Sequence, residues 1–164
     1  MRLKRIKLLR EAQINYISTK QLKKKKMKTD INWLAVLLAT VAGMACAGLW
    51  YTKPLFGSTW RKLTGISEAD SRKSGKTPMV IVLFANIFTA IVLTVIISIS
   101  KAMFKNNSLW LSLFVGFILW LAFSATTLIT HNTFEQKPTK LSWINNGYQF
   151  VLFISMVLVI GLFK

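Results

Sequence analysis

Residues 31–50 read INWLAVLLATVAGMACAGLW, a run of 20 residues without an Asp, Glu, Lys, Arg or His. A helix of about 20 residues rises about 30 Å, which is the thickness of the hydrocarbon core of a membrane. Three further stretches, residues 79–100, 109–130 and 144–163, are as long or longer and lack the same five residue types. The sequence therefore predicts an all-α membrane protein with a bundle of four transmembrane helices.

The positive charges of the chain lie outside these four stretches. Half of the 22 Lys and Arg residues occur in residues 1–30, and the formal net charge is +17. We divide the chain into a basic N-terminal arm, residues 1–30, and a four-span membrane domain, residues 31–164. Each Lys or Arg near an anionic membrane surface contributes about 1 kcal/mol of attraction. We therefore expect anionic lipid headgroups, not nucleic acid, as the partner of these charges.

The basic arm has two interpretations. Leu3, Ile6, Leu9 and Ile17 could share one face of a helix on the membrane surface. Alternatively, translation starts at Met27, just before the first span. The choice decides the orientation, because cytoplasmic loops carry the excess of Lys and Arg. In the full chain, the N-terminus, second loop and C-terminus together carry 14 cations and the first and third loops carry eight, which predicts a cytoplasmic N-terminus. With a start at Met27 the first group carries only four, and the predicted orientation reverses.

Small residues recur every fourth position along the first span, at Ala35, Ala39, Gly43 and Ala47. Such a ridge lets two helix backbones approach closely in lipid. We expect it to pack against another span of the same chain, with a second subunit as the alternative.

Aromatic and polar side chains near the span ends are candidates for binding a ligand or a partner. Aromatic residues cluster at the end of the first span, as an interfacial belt or a re-entrant element lining a cavity. Polar groups within or at the ends of the later spans could join helices by hydrogen bonds or line a polar cavity. The candidate residues are Trp50, Tyr51, Trp60, Asn86, His131, Glu135, Asn145 and Tyr148.

His131 and Glu135 lie four residues apart at the end of the third span, so a continuing helix would place them on one face. Two side chains do not make a metal site. The sequence contains no nucleophile–base set, phosphate loop or cysteine motif, and we expect neither an enzyme nor a bound cofactor.

Two blocks of sequence resemble a known family. They comprise the stretch from Gly48-Leu49-Trp50-Tyr51 to Gly65, and Ile144-Asn145-Asn146-Gly147-Tyr148-Gln149. The chain from residue 31 onward is similar to the domain of unknown function 1761 family (DUF1761), small bacterial integral-membrane proteins. The resemblance implies a multi-pass protein of the bacterial cell membrane, with no activity to transfer. The motif residues would be Trp50, Tyr51, Gly57, Trp60, Gly65, Asn145, Gly147 and Tyr148.

The functional hypothesis is a non-enzymatic membrane protein that binds a lipid or small amphiphile, or another membrane protein. The aromatic first loop and the polar start of the fourth span would form the site. The alternative is a small facilitative transporter or channel acting as a homo-oligomer, restricted to uncharged solutes because no span carries an ionisable carboxylate.

Overall fold

The computed structural model describes residues 9–14 and 31–163. Residues 9–14 are helical and exposed. The alternative start at Met27 and most of the proposed amphipathic arm lie outside the described residues.

Four long helices correspond to the four apolar stretches, which confirms the predicted fold class. They are α1 (Trp33–Trp50), α4 (Thr77–Phe104), α5 (Leu109–Phe134) and α6 (Thr139–Leu162). The last three extend beyond the apolar stretches by two to five residues at one or both ends, because polar residues outside the hydrocarbon core continue the helical hydrogen bonding.

The long helices begin at recognisable capping residues. The side chain of Asn32 accepts a hydrogen bond from the Ala35 amide at the start of α1, and Ser108 does the same for Leu111 at the start of α5. Pro78 occupies the first turn of α4, where its missing N–H has no helical partner to lose.

The first loop contains two short helices, α2 (Ser58–Thr64) and α3 (Glu68–Lys73), preceded by a kinked turn, Lys53–Gly57, in which Leu55 has non-helical backbone angles. A capping box begins α3, since Ser67 and Asp70 exchange side-chain and backbone hydrogen bonds. Glu68 lies 2.7 Å from Lys53 and 3.0 Å from Arg61. These ion pairs tie α3 to both earlier segments of the loop.

Helix α6 lies at the centre of the bundle and packs against α1, α4 and α5. The four small residues of α1 are all buried, and Gly43 lies against Met156 of α6 and Asn86 of α4. The ridge therefore packs within the same chain. At one end of the bundle, the Asn32 side chain donates to the Phe163 carbonyl, so the start of α1 and the end of α6 meet there.

Helix α5 departs from the regular helix that its sequence predicts. Residues Trp120–Ala125 form a π-helical segment in the middle of the span. The Thr126 amide donates to the Leu121 carbonyl, five residues back, and the Thr126 hydroxyl donates to the Ala122 carbonyl at 2.6 Å. The wide turn thus keeps its carbonyl groups bonded, and π-turns of this kind are frequent at functional sites.

Candidate functional site

Two groups of side chains contact the first turns of α6, one from the side of α1 and the other from the side of α5. The end of α1 and the first loop supply Trp50, Tyr51, Phe56 and Trp60, which form an aromatic cluster with Tyr148 of α6. Helix α5 and its π-helical segment enclose a cavity against the same part of α6. We refer to it as the α5–α6 cavity.

Trp50 fixes the end of α1 to the start of α6. Its indole N–H donates to the Ile144 carbonyl at 3.2 Å, and its ring stacks on Phe56 with centroids 4.4 Å apart. A Cβ atom on Gly147 would lie 3.1 Å from the Trp50 ring. A glycine at 147 therefore allows the edge of the indole to approach α6 closely.

Tyr51 is the centre of the aromatic cluster. Its ring centroid lies 5.2 Å from that of Tyr148 and 5.5 Å from that of Trp60, and its hydroxyl donates to Asn145 Oδ1 at 3.3 Å. Gly57 turns the chain beneath it, where an added Cβ would collide with the Tyr51 carbonyl. Five of the eight sequence-predicted candidates, Trp50, Tyr51, Trp60, Asn145 and Tyr148, thus come together.

The other three candidates lie elsewhere. Asn86 is buried between α4 and α1, with its amide 3.4 Å from the Met44 sulfur. His131 and Glu135 are exposed at the end of α5, where the Glu135 amide caps the helix by donating to the His131 carbonyl. The Glu135 carboxylate lies 3.9 Å from Lys137. Within residues 9–14 and 31–163, no three His, Cys, Asp or Glu side chains come close enough to hold a metal ion.

The α5–α6 cavity has a volume of about 570 Å³. It extends from polar residues at the α5–α6 loop to the π-helical segment in mid-span. Trp120 lies 14 residues before the end of α5, or about 21 Å along the helix axis. The residues that line the cavity are Trp120, Leu121, Ala125, Ile129, Asn132, Thr133, Gln136, Lys137, Thr139, Ser142, Trp143 and Asn146.

Two polar atoms on residues that line this cavity are buried without a hydrogen-bond partner in the described part of the chain, Trp120 Nε1 and Asn146 Oδ1. Asn146 is only 7% exposed, and its amide nitrogen already donates to the Ser142 carbonyl at 2.9 Å. A third such atom, Ser112 Oγ, lies instead in the tight contact of α5 with Gly161.

One polar contact connects the two helices in this region. The Asn132 amide donates to the Ser142 hydroxyl at 2.9 Å across the α5–α6 contact. This bond fixes the outer part of the cavity, whereas Trp120 Nε1 and Asn146 Oδ1 are buried within its wall and not exposed to its interior.

Sequence reasoning missed the cavity and the roles of Trp120, Asn132 and Ser142. One signal was present. Trp120 is a tryptophan in the middle of a span, and a buried indole N–H normally has a hydrogen-bond partner. Tryptophan is otherwise typical of the ends of transmembrane helices.

Comparison with known proteins gives one match. A family model described as a protein of unknown function (DUF1761) matches residues 34–161, which include all four long helices, the aromatic cluster and the cavity. No curated protein and no solved structure matches the chain.

Proposed function

This chain belongs to the DUF1761 family of proteins of unknown function, and we propose that it is a non-enzymatic membrane protein that binds an amphiphile in the α5–α6 cavity. The observation that carries the proposal is the cavity itself. Its volume of about 570 Å³ lies within the range of about 300–1,000 Å³ that is typical of small-molecule sites.

The lining of the cavity suits a molecule with one polar and one apolar part. Leu121, Ile129 and Trp143 contribute apolar surface and are themselves partly or largely exposed at the outside of the bundle. An alkyl chain can therefore continue from the cavity along the surface of α5. Polar side chains line the rest of the wall, which matches the general pattern of apolar pockets with a few placed polar groups.

The aromatic cluster has a positioning role in this proposal. Trp50 and Tyr51 hold residues 144, 145 and 148 of α6 from one neighbour, while Ser142 and Asn146 face the cavity from the same two turns. Side chains that are locked by packing hold a binding site more precisely than mobile ones. The proposal keeps the start of the fourth span as part of the binding site. The first loop does not line the cavity, and it holds this part of α6 from the opposite side.

The proposal is tested by filling the cavity. Ala125 lines it and is 3% exposed, so Ala125→Leu places three additional carbon atoms at its wall. Native mass spectrometry of the wild type, extracted from its own membrane in mild detergent, should show a retained small molecule. The Ala125→Leu variant should lose that molecule.

Ala122→Leu is the matched control. It makes the same chemical change on the same helix, at an exposed position outside the cavity lining. The control should keep the ligand. A wild type that carries nothing beyond bulk lipid, or equal retention in both variants, would contradict the proposal.

A second candidate function is facilitated passage of an uncharged solute. Cavities at both ends of the bundle favour it. The second, of about 350 Å³, is lined by residues that include Asn32, Ser98 and Phe163. Flux of neutral solutes into proteoliposomes above empty vesicles, reduced by Ala125→Leu, would favour transport over simple binding. A flat trace across a broad solute panel would count against it.

A further inference from the structure

We propose that the ligand of the α5–α6 cavity is a single-chain amphiphile with an anionic head group. The head group binds at the loop end beside Lys137, and the tail points toward the π-helical segment. This inference rests on the proposed function and names the charge and the orientation of its ligand. It follows from the order of side chains along the cavity wall and from the charge at this end of the bundle.

The wall of the cavity changes from apolar to polar along α5. Its deep part is formed by Trp120, Leu121, Ala125 and Ile129, and every lining residue between Ile129 and the start of α6 is polar or charged. The distance from Leu121 to Asn132 is about 17 Å along the helix axis, close to half of the hydrocarbon core of about 30 Å. The apolar part therefore has the length of an acyl chain from one leaflet, with its head group at the loop.

The loop end of the cavity has a polar rim, which comprises Thr133, Gln136, Lys137 and Thr139. All four residues are exposed and line the cavity, so they can contact a head group directly. The turn after α5 determines their position, since Gln136 has a φ of 53° and the Lys137 amide donates to the Asn132 carbonyl at 2.9 Å. Because Gln136 and Lys137 are consecutive residues, one head group can contact both.

The charge at the rim favours an anion. Among the residues that line the cavity, only Lys137 is charged, and its ammonium lies 3.9 Å from the Glu135 carboxylate, with both side chains about half exposed. An ion pair this long and exposed is weak, so the ammonium can still bind a carboxylate or a phosphate.

The surrounding loops add to this positive charge. The first and third loops, residues 51–78 and 131–143, lie at the same end of the bundle as the rim. Together they carry eight Lys or Arg residues against three Asp or Glu residues, a net charge of +5. Positive potential at the opening attracts anionic amphiphiles from the membrane surface.

The volume of the cavity favours one acyl chain over two. About 570 Å³ is the volume of a drug-sized site, which a phospholipid with two long chains would exceed. Leu121, Ile129 and Trp143 are exposed at the outside of the bundle, so a tail can enter sideways from the lipid.

The first test varies the head group on a constant tail in phosphatidylcholine nanodiscs. Monopalmitoyl phosphatidate is the anionic ligand and monopalmitoylglycerol is the neutral one. We expect the anionic lipid to half-saturate the protein at a mole fraction about two- to fivefold lower, the range of a single exposed ion pair. Inorganic phosphate should not displace it. Displacement would identify a site for a free anion and overturn the role of the tail.

Lys137→Gln assigns the preference to the rim. It removes the charge and keeps a hydrogen-bonding side chain, so the affinity for the anionic lipid should fall to that for the neutral lipid, which should stay the same. Lys140→Gln is the matched control, because it removes the same charge three residues further along the chain, outside the lining. It should retain the preference. Loss of the preference in both variants, or in neither, would overturn the assignment to the rim.

The orientation is tested by photo-crosslinking with two forms of monopalmitoyl phosphatidate, which carry a diazirine either at the tail end or next to the ester. Only crosslinks that excess unlabelled lipid suppresses are counted. We expect the first form to label residues 120–129 and the second to label residues 132–143. The reverse pattern, or the same residues for both forms, would overturn the orientation.

The outcomes separate this inference from the proposed function. Equal affinity for the anionic and the neutral lipid, with binding of both still lost in Ala125→Leu, would overturn the anionic head group and leave amphiphile binding intact. If neither lipid binds saturably, and Ala125→Leu changes nothing, amphiphile binding itself fails.

Discussion

Gly116 lies at a tight contact between α5 and α6. A Cβ atom there would lie 2.5 Å from Val157 Cγ2 and 3.2 Å from Val157 Cβ. Because a β-branched side chain has little rotamer freedom in a helix, Val157 cannot move aside easily. The glycine thus sets the helix separation about one turn before the π-helical segment.

Gly116→Ala should destabilise the protein by about 1–3 kcal/mol, the usual cost of overpacking a well-packed core. Gly43→Ala should cost less, since the closest atom to its new Cβ is the flexible end of Met156, and the Asn86 side chain is 3.2 Å away. Gly48→Ala is the control, because a Cβ there meets nothing within 4 Å. Thermal unfolding in detergent checks the order, and equal melting temperatures for the variants at 116 and 48 would contradict it.

The bond between Tyr51 and Asn145 is the most direct polar link from the first loop to α6. A double-mutant cycle of Tyr51→Phe and Asn145→Leu should give a coupling free energy of about 0.6 kcal/mol, the average for polar contacts between membrane helices. The readout is the unfolding free energy in mixed micelles. The parallel pair Tyr51→Phe and Asn86→Leu should show no coupling, because Asn86 contacts α1 at Met44 instead.

At the scale of elements, the first loop is held by charge as well as by aromatic packing. A hydrogen bond from Lys53 holds the pKa of Glu68 below its usual value, and the charges of Arg61 and Arg72 act in the same direction. A carboxyl group with a lowered folded-state pKa stabilises the fold above its unfolded pKa. That contribution is lost as the pH falls through the folded value.

We therefore expect hydrogen exchange in residues 53–73, corrected for intrinsic rates, to be constant from neutral pH down to about pH 5. Protection should then decrease below the ordinary glutamate pKa of about 4.3. Asp70, whose pKa the Ser67 hydrogen bonds also lower, titrates in the same range. Glu68→Gln distinguishes the two carboxyl groups, because loss of the Glu68 charge should lower the protection of residues 53–73 already at neutral pH.

Glu135→Gln serves as the control for this prediction, since its carboxylate pairs with Lys137 in another loop. It should leave exchange in residues 53–73 unchanged. Wild-type protection that is lost already between pH 7 and 5, or unaltered by Glu68→Gln, would show that the ion pairs do not hold the loop.

The sequence predicts the spans and the capping box, because length, hydropathy and cap residues are local properties of the chain. It does not predict the π-helical segment. Residues 120–125 contain neither Gly nor Pro, and the segment coincides with the packing of Trp120 on Phe150, 30 positions away. The sequence does not predict the cavity either, because its wall combines side chains from two helices and the loop between them.

The aromatic cluster is an intermediate case. Trp50, Tyr51 and Trp60 are neighbours in sequence, so a shared location is expected. Their contacts with Ile144 and Tyr148 depend on how α6 returns past the end of α1, which no local pattern encodes. The two blocks of sequence that resemble the family, residues 48–65 and 144–149, are in contact in the structure.

At the scale of the whole molecule, the four spans contribute unequally to the core. In the most apolar window of each, 39% of residues are buried for α6 but only 11% for α5. Helix α6 is therefore the structural axis, and α5 presents most of its surface to the outside. This asymmetry suits a molecule that receives a ligand laterally from the lipid along α5.

The central claim, that a distinct amphiphile occupies the α5–α6 cavity, is tested most directly by photo-crosslinking in the native membrane. A benzophenone amino acid at Leu121, on the cavity wall, is compared with one at Phe114, two turns earlier on α5 and outside the lining. We predict that Leu121 captures one distinct amphiphile, identified by mass spectrometry, and that Phe114 captures bulk lipid. The same bulk lipid at both positions would contradict the account.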